Sequence, residues 1–399
     1  MSTGNIARRW RELSGQNHWN GLLGPLDMDL RRYLLHYGQM AQATYDSFIA
    51  EKMSQFAGNS RYSMKNLFSS VGLTINNIFK YKPVKYLYAT SSAEVPQSFI
   101  MNPSTSQQGA TKESNWIGYI AVAEDEAKKE LGRRDIVVAW RGTIQPLEWI
   151  EDFNAPLIPA TDILGRNKNA RVHRGFHSVY TSTNPASANS KTSAREQVFE
   201  AVKQLVNQYQ NEEISITVIG HSLGAALATM SSADIVTNGL NRSDSNATKS
   251  CPVTAFAYAC PRTGDQGFRH ALDDMQDLRI LRIKNAPDIV PQVPPVTVGY
   301  RDIGEELLID TRMSPYLQPP GGFLSWHMLE TYLHGIAGTQ GNNPFNLAVN
   351  RDISLVNKSS NLLKPEHNVP GYWWSTANHG MSQQPDGAWK LDPSQDSED

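Results

Sequence analysis

The chain reads as an α/β fold with a mostly parallel central sheet flanked by helices, preceded by a helical N-terminal extension. Strand-like and helix-like segments alternate over roughly 150 residues from about residue 115 onward. Several of the strand-like segments are short unbroken apolar runs, such as Asp135–Trp140 (DIVVAW), the texture of strands buried on both faces. The segments between them include a long amphipathic stretch suited to a crossover helix, which parallel neighbours require.

Residues 1 to about 100 look mainly helical and polar, with Leu30, Tyr33, Leu34 and Tyr37 at helical spacing after a break at Leu22-Leu23-Gly24-Pro25-Leu26-Asp27. Trp116–Val122 is expected as a strand, and Asp135–Trp140 as the next. Ser193–Tyr209 is expected as an amphipathic helix with Val198, Phe199, Val202, Leu205, Val206 and Tyr209 on one face. Ser193 and Glu196 give its start a capping-box pattern. Glu213–Ile219 is a strand, Leu223–Val236 an alanine-rich helix, and Val253–Tyr258 and Leu278–Ile283 two further strands. Ser182–Ser193 and Asn238–Ser250, rich in Ser and Asn, read as surface loops. Pro365, Pro370, Gly371, Trp373 and Trp374 mark the last 50 or so residues as an irregular arm packed on the core. The expected organisation is one domain over 1–399, with the N-terminal extension at 1–100, the core at 100–340 and the C-terminal arm at 341–399.

Bulk properties exclude several classes. A formal net charge of -2 over 399 residues gives no electrostatic footprint for nucleic acid. Two cysteines, Cys251 and Cys260, cannot form a disulfide framework and read as buried thiols, with a 251–260 bridge as the alternative. No stretch reaches the length of a membrane-spanning helix. Met1–Gly21 is polar, carries Arg8, Arg9 and Arg11, and lacks the apolar run of a signal peptide. A reducing compartment, the cytoplasm, is the expected location. The ten histidines show no paired-ligand spacing, so neither a metal nor another cofactor is expected.

Gly220-His221-Ser222-Leu223-Gly224 carries the chemistry. It follows a buried strand and opens a helix of small residues, the context of the strained elbow that exposes a nucleophilic serine in α/β-hydrolases. Ser222 would stand at the helix N-terminus, where backbone N–H groups and the helix dipole favour a developing oxyanion. His221 adjoins it but is turned elsewhere, toward a packing or hydrogen-bonding role.

In this fold the acid and then the base follow the serine. The acid should lie just past a strand at the carboxyl edge of the sheet. Asp288, which closes the segment Lys284-Asn285-Ala286-Pro287-Asp288 directly after the strand Leu278–Ile283, is preferred over Asp265, Asp273, Asp274, Asp277 and Asp302. Downstream histidines are His270, His327, His334, His367 and His379. His270 precedes the acid and is out of order. His327 is preferred as the base, with His334 as the main alternative; the two flank a short helical stretch, Met328–Leu333. The base would take the Ser222 proton and later protonate the leaving alcohol, while the acid fixes its tautomer.

Several motifs in order resemble the class 3 lipases: Trp140-Arg141-Gly142-Thr143, Glu148-Trp149-Ile150-Glu151-Asp152, Val172-His173-Arg174-Gly175-Phe176, GHSLGAALA at 220–228, Pro261-Arg262-Thr263-Gly264-Asp265 and Asn285-x-x-Asp288-x-Val290-Pro291. With RRWRELSGQNHWNGLL at 8–23 and PEHNVPGYWW at 365–374, the chain is similar to the plant phospholipase A1 class II branch. The resemblance implies that Thr143 and the Leu223 N–H form the oxyanion hole. It implies that Ile144 to Trp149 form a lid whose apolar members Ile144, Leu147 and Trp149 cover an acyl groove in water. It also implies an aromatic close behind the base, a place Tyr332 fits loosely.

The implied substrates are acyl lipids, reached by transient contact with a membrane surface: first the sn-1 ester of phospholipids, alternatively mono- or diacylglycerols or galactolipids. A lipase-like signalling scaffold without catalysis is the competing class, against which an intact serine, acid, histidine and oxyanion set argues.

Overall fold

The computed structural model describes residues 5–96, 99–101, 114–144, 156–165, 169–319, 323–341, 344–374 and 378–391. Seven strands form the central sheet: β1 (Tyr81–Ala89), β2 (Asn115–Ala123), β3 (Arg134–Trp140), β4 (Ile214–His221), β5 (Val253–Tyr258), β6 (Leu278–Asn285) and β7 (Glu305–Ile309), side by side in that order. β3 to β7 run parallel, while β1 and β2 pair antiparallel at one edge.

Side chains alternate between two cores along each inner strand, as the two-residue strand period requires. Ile136, Val138 and Trp140 of β3 join the first core, whereas Val137 and Ala139 join the second. The first core is closed by α4 (Arg174–Thr181), α5 (Ala194–Gln208), α6 (Leu223–Thr237) and α7 (Gln266–Asp273). The second is closed by α1 (Ile6–Leu13), α2 (Met28–Asp46), α3 (Asp125–Leu131) and α8 (Leu329–Ala337). Both faces of the sheet are covered, and that is why the parallel strands read as continuous apolar runs. The fold is the α/β-hydrolase arrangement that the sequence predicts.

The expected start of α5 is present in full: Ser193 accepts from the Glu196 N–H while the Glu196 carboxylate takes the Ser193 N–H. Other elements depart from expectation: Arg242–Ser243 and Asn246–Ser250, inside a segment expected as a loop, pair as a short hairpin, and β7 is a strand beyond those expected. Residues 81–89, inside the stretch that looks helical, form strand β1. Its sequence, YKPVKYLYA, has no apolar run, because an edge strand is only half covered. Lys82, Lys85 and Pro83 suit an edge and discourage further pairing. The stripe Leu30, Tyr33, Leu34 and Tyr37 does lie on a helix, and α2 packs on the sheet itself.

The C-terminal arm forms short 3₁₀ turns and closes over α2 and α8. Lys358 Nζ meets Asp46 Oδ2 at 2.6 Å, and Arg351 pairs with Glu330, all four side chains being buried. Trp374 donates to the Asp46 carbonyl at 3.1 Å, and the fully buried Trp373 donates to Ser354 O at 2.8 Å. Removing one partner from a buried pair strands the other charge at a cost of about 3–5 kcal/mol. The arm is thus bound into the core beside both helices that frame the site. Cys251 and Cys260 lie at opposite ends of β5, too far apart for a bridge, and both thiols are free. No helix among the described residues is long and apolar enough to cross a membrane.

Candidate active site

At the carboxyl end of β4 the chain turns directly into α6, with Ser222 at the turn in a strained conformation (φ 59°, ψ -127°). Such backbone costs on the order of 1–3 kcal/mol and persists only where packing enforces it. Here the packing is tight. A Cβ on Gly220 would lie 2.1 Å from the Gly224 carbonyl oxygen, and one on Gly224 would lie 2.4 Å from that of Trp140. The Ser222 N–H is tied to the Tyr258 carbonyl at 3.0 Å on the neighbouring strand. The side chain is buried, and Oγ has no hydrogen-bond partner among the described residues.

The loop leaving β6 carries Asp288. Its Oδ2 faces His327 Nδ1 at 2.8 Å and accepts from the Tyr332 hydroxyl at 2.6 Å, while Oδ1 accepts from the Val290 N–H at 3.0 Å. Burial alone would push this carboxyl up. The adjacent imidazole, its hydrogen bond, the tyrosine hydroxyl and the amide outweigh burial and hold it below the ordinary aspartate range. Asn285, at the end of β6, braces the loop: its side chain donates to Thr311 Oγ1 at 2.9 Å and to the Trp326 carbonyl at 3.1 Å, next to His327. That contact gives the Asn285-x-x-Asp288 spacing a physical reason. His327 Nε2, the nitrogen turned from Asp288, is buried without a partner among the described residues.

His221 joins the serine's turn to the histidine. Its Nε2 lies 2.7 Å from the His327 carbonyl, which can only accept, so Nε2 carries the proton. Nδ1 therefore accepts from the Tyr45 hydroxyl, also at 2.7 Å. The rings of His221 and His327 stand 4.7 Å apart. Burial, and then the neighbouring His327, take His221 down to about 3, so it stays neutral. It has no nitrogen left for a serine proton and serves to position His327.

Thr143 follows β3 and is buried, its Oγ1 without a partner among the described residues. Gly142 brings it to the elbow: a Cβ there would lie 2.0 Å from Tyr45 Oη and 2.4 Å from the His221 carbonyl oxygen. Leu223, the first residue of α6, has an N–H that no preceding helical carbonyl can take. Ile144 is half-buried against the second core; Leu147 and Trp149 lie outside the described residues.

The rival candidates have other partners. His334 points away from Asp288, bonding Ser314 Oγ at 2.7 Å and stacking on Phe345, and burial followed by nearby Arg351 takes it down to about 3. His367 packs on Tyr316, and His379 occupies a turn. Asp265 caps α7, and Asp302 pairs with Arg262 and Arg282. His173 of the VHRGF motif caps α4.

One contributor escapes a sequence reading, and a second is marked by it only loosely. Tyr45 acts on His221 from 176 positions away. Its only local signal is the stripe Tyr33, Tyr37, Ala41, Tyr45 along α2. Tyr332 shows only as an aromatic after a histidine. Tyr332→Phe should lower kcat several-fold with KM unchanged, since a hydrogen bond to a charged group contributes about 1.5–3 kcal/mol. Losing that hydroxyl raises the Asp288 pKa. Because the folded-state pKa is depressed, the carboxylate adds stability above its unfolded pKa and loses it as pH falls through the folded value. The gap in Tm between wild type and Tyr332→Phe should therefore narrow as pH drops through the carboxylate range; a gap constant from pH 7 to 3 contradicts the assignment.

Residues 137–298 match the family described as Lipase (class 3). Phospholipase A1-IIgamma of Arabidopsis thaliana is 54% identical, the alignment covering 98% of this chain and 93% of that protein. Phospholipase A1-II 6 of Oryza sativa subsp. japonica is 50% identical over 98% of this chain and 97% of its own length. The Lip2 lipase of Yarrowia lipolytica aligns structurally with a TM-score of 0.46 at 20% identity, covering 74% of this chain and 83% of that one. Taken with the serine elbow and the buried Asp288–His327 pair, the family match and the two phospholipase A1-II relatives establish that the chain belongs to the class 3 lipases, in their phospholipase A1-II group.

Proposed function

We propose that this protein is a phospholipase A1 that hydrolyses the sn-1 ester of phospholipids through an acyl-enzyme. Ser222 Oγ attacks the ester carbonyl as His327 Nε2 takes its proton. The tetrahedral oxyanion is met by the Leu223 and Thr143 N–H groups. On collapse, His327 returns the proton to the leaving lysophospholipid oxygen. His327 then removes a proton from water, which attacks the acyl carbon and releases fatty acid and free serine. Asp288 keeps the His327 proton on Nδ1 and stabilises the imidazolium. No cofactor is needed.

The observation that carries this reading is the buried 2.8 Å contact between Asp288 and His327, set against the residue before Ser222. The substrate class rests on the relatives named phospholipase A1, at 54% and 50% identity over nearly the whole chain. Access to such substrates calls for transient contact with a membrane surface. Burial pushes the Cys260 and Cys251 thiols up to about 11 and about 12, and two unpaired cysteines favour a reducing location, the cytoplasm.

A phosphatidylcholine with different acyl chains at sn-1 and sn-2, presented in vesicles, tests the reading. The acid released first should be the sn-1 chain. Preferential release of the sn-2 chain, or faster turnover of diacylglycerol at equal surface concentration, overturns the substrate assignment.

A further inference from the structure

Arg141 lies between β3 and Thr143 and is fully buried. Its guanidinium forms no ion pair with any carboxylate among the described residues. Instead Nε donates to the Trp116 carbonyl at 3.1 Å, Nη1 donates to the Gly142 carbonyl at 2.8 Å, and the group lies over the Phe48 ring at 3.8 Å from its centroid. Nη2 has no partner among these residues. Burial pulls the guanidinium down to about 10, which leaves it charged at neutral pH. Taking a guanidinium out of water is costly, and a loop can be held in cheaper ways.

The carbonyl it grips shares one rigid plane with the Thr143 N–H. In a trans peptide the C=O and N–H point in opposite directions, so fixing one fixes the other. The other side of Gly142 is closed by Tyr45 Oη and the His221 carbonyl, so the plane has little freedom to rotate. A positive donor on the carbonyl also draws electron density through the amide and strengthens the N–H as a donor.

We infer that Arg141 is a positioning residue that aims and polarises the Gly142–Thr143 peptide, so that the Thr143 N–H meets the oxyanion at full strength. The inference rests on the ester-hydrolase reading above. It assigns to Arg141 a task separate from tying β2 to β3, which its backbone N–H already does through the Ile117 carbonyl at 2.7 Å.

The test compares Arg141→Met, which removes the charge and the fork, with Arg141→Lys, which keeps only the charge. Turnover is expressed per active site titrated with a fluorophosphonate, so unfolded protein does not count. Met should lower kcat by about 10²-fold, the effect of losing one oxyanion donor, with KM within about threefold. It should weaken an alkylboronic acid, which binds as a tetrahedral oxyanion, by the same factor. Lys should restore part of both losses. Should neither variant fold, the same measurements on Phe48→Leu, which removes the ring beneath the guanidinium, should show a smaller parallel loss in kcat and boronate affinity. Unchanged kcat per site and unchanged boronate affinity, with only Tm reduced, overturn the inference and leave Arg141 a folding residue. Wild-type protein that neither hydrolyses ester nor takes the fluorophosphonate removes the parent reading instead.

Discussion

Ser222→Ala should reduce fatty acid release from phosphatidylcholine vesicles by about 10⁶-fold, the scale seen when a triad serine is removed. The protein itself should be unharmed. The hydroxyl is buried with no hydrogen-bond partner among the described residues, so its removal strands nothing and relieves an uncompensated polar burial. Alanine tolerates the turn at φ 59° no better and no worse than serine, and Gly220 and Gly224 still permit it. Tm should therefore stay level or rise slightly. Activity and melting curves measured on one preparation separate the outcomes: retained release places the nucleophile elsewhere, whereas lost release with a collapsed melt says only that the elbow needs the hydroxyl to fold.

The sheet's inner strands are legible in sequence because burial on both faces leaves no polar alternation to hide them. β3 is Arg134–Trp140 where Asp135–Trp140 is expected, and β6 runs two residues past its expected end. β1 escapes for the converse reason, being an edge strand with lysines, a proline and tyrosines. The serine is legible because its demands are local: two glycines that must lie against backbone, a strand before and a helix after. Asp288 is legible from its place past a strand. The choice between His327 and His334 is not, since both flank one helix. It turns on which imidazole reaches a carboxylate 39 residues back in the chain, a fact of tertiary packing. Tyr45 is beyond any local signal, because its partner lies on another element and its role appears only when α2 sits on the sheet.

That dependence gives the two ends of the chain a shared purpose at the site. α2 ends at Asp46, one residue past Tyr45, and α8 carries both Glu330 and Tyr332. The arm's buried pairs, Lys358 with Asp46 and Arg351 with Glu330, therefore anchor the two helices whose tyrosines hold His221 and Asp288. Segments that look peripheral in sequence thus bear on the placement of His221 and Asp288.

Asp288→Asn should lower kcat by about 10⁴-fold with little change in shape, and the reason is the direction of one proton. The Val290 N–H donates to Oδ1, which fixes the amide oxygen at that position. The amide nitrogen then occupies the place of Oδ2, where His327 Nδ1 and the Tyr332 hydroxyl arrive at 2.8 and 2.6 Å. An NH₂ there donates to Nδ1 and drives the imidazole proton to Nε2, the atom that must be bare to accept from Ser222. Turning the amide over would set NH₂ against the Val290 N–H, two donors face to face. The enzyme is thus trapped in the tautomer that cannot act as base. Fluorophosphonate labelling of Ser222 should slow in proportion to kcat, since it needs the same proton transfer. A loss of less than tenfold in both rates would place the acid elsewhere, and Asp288 would then be a brace for its own loop.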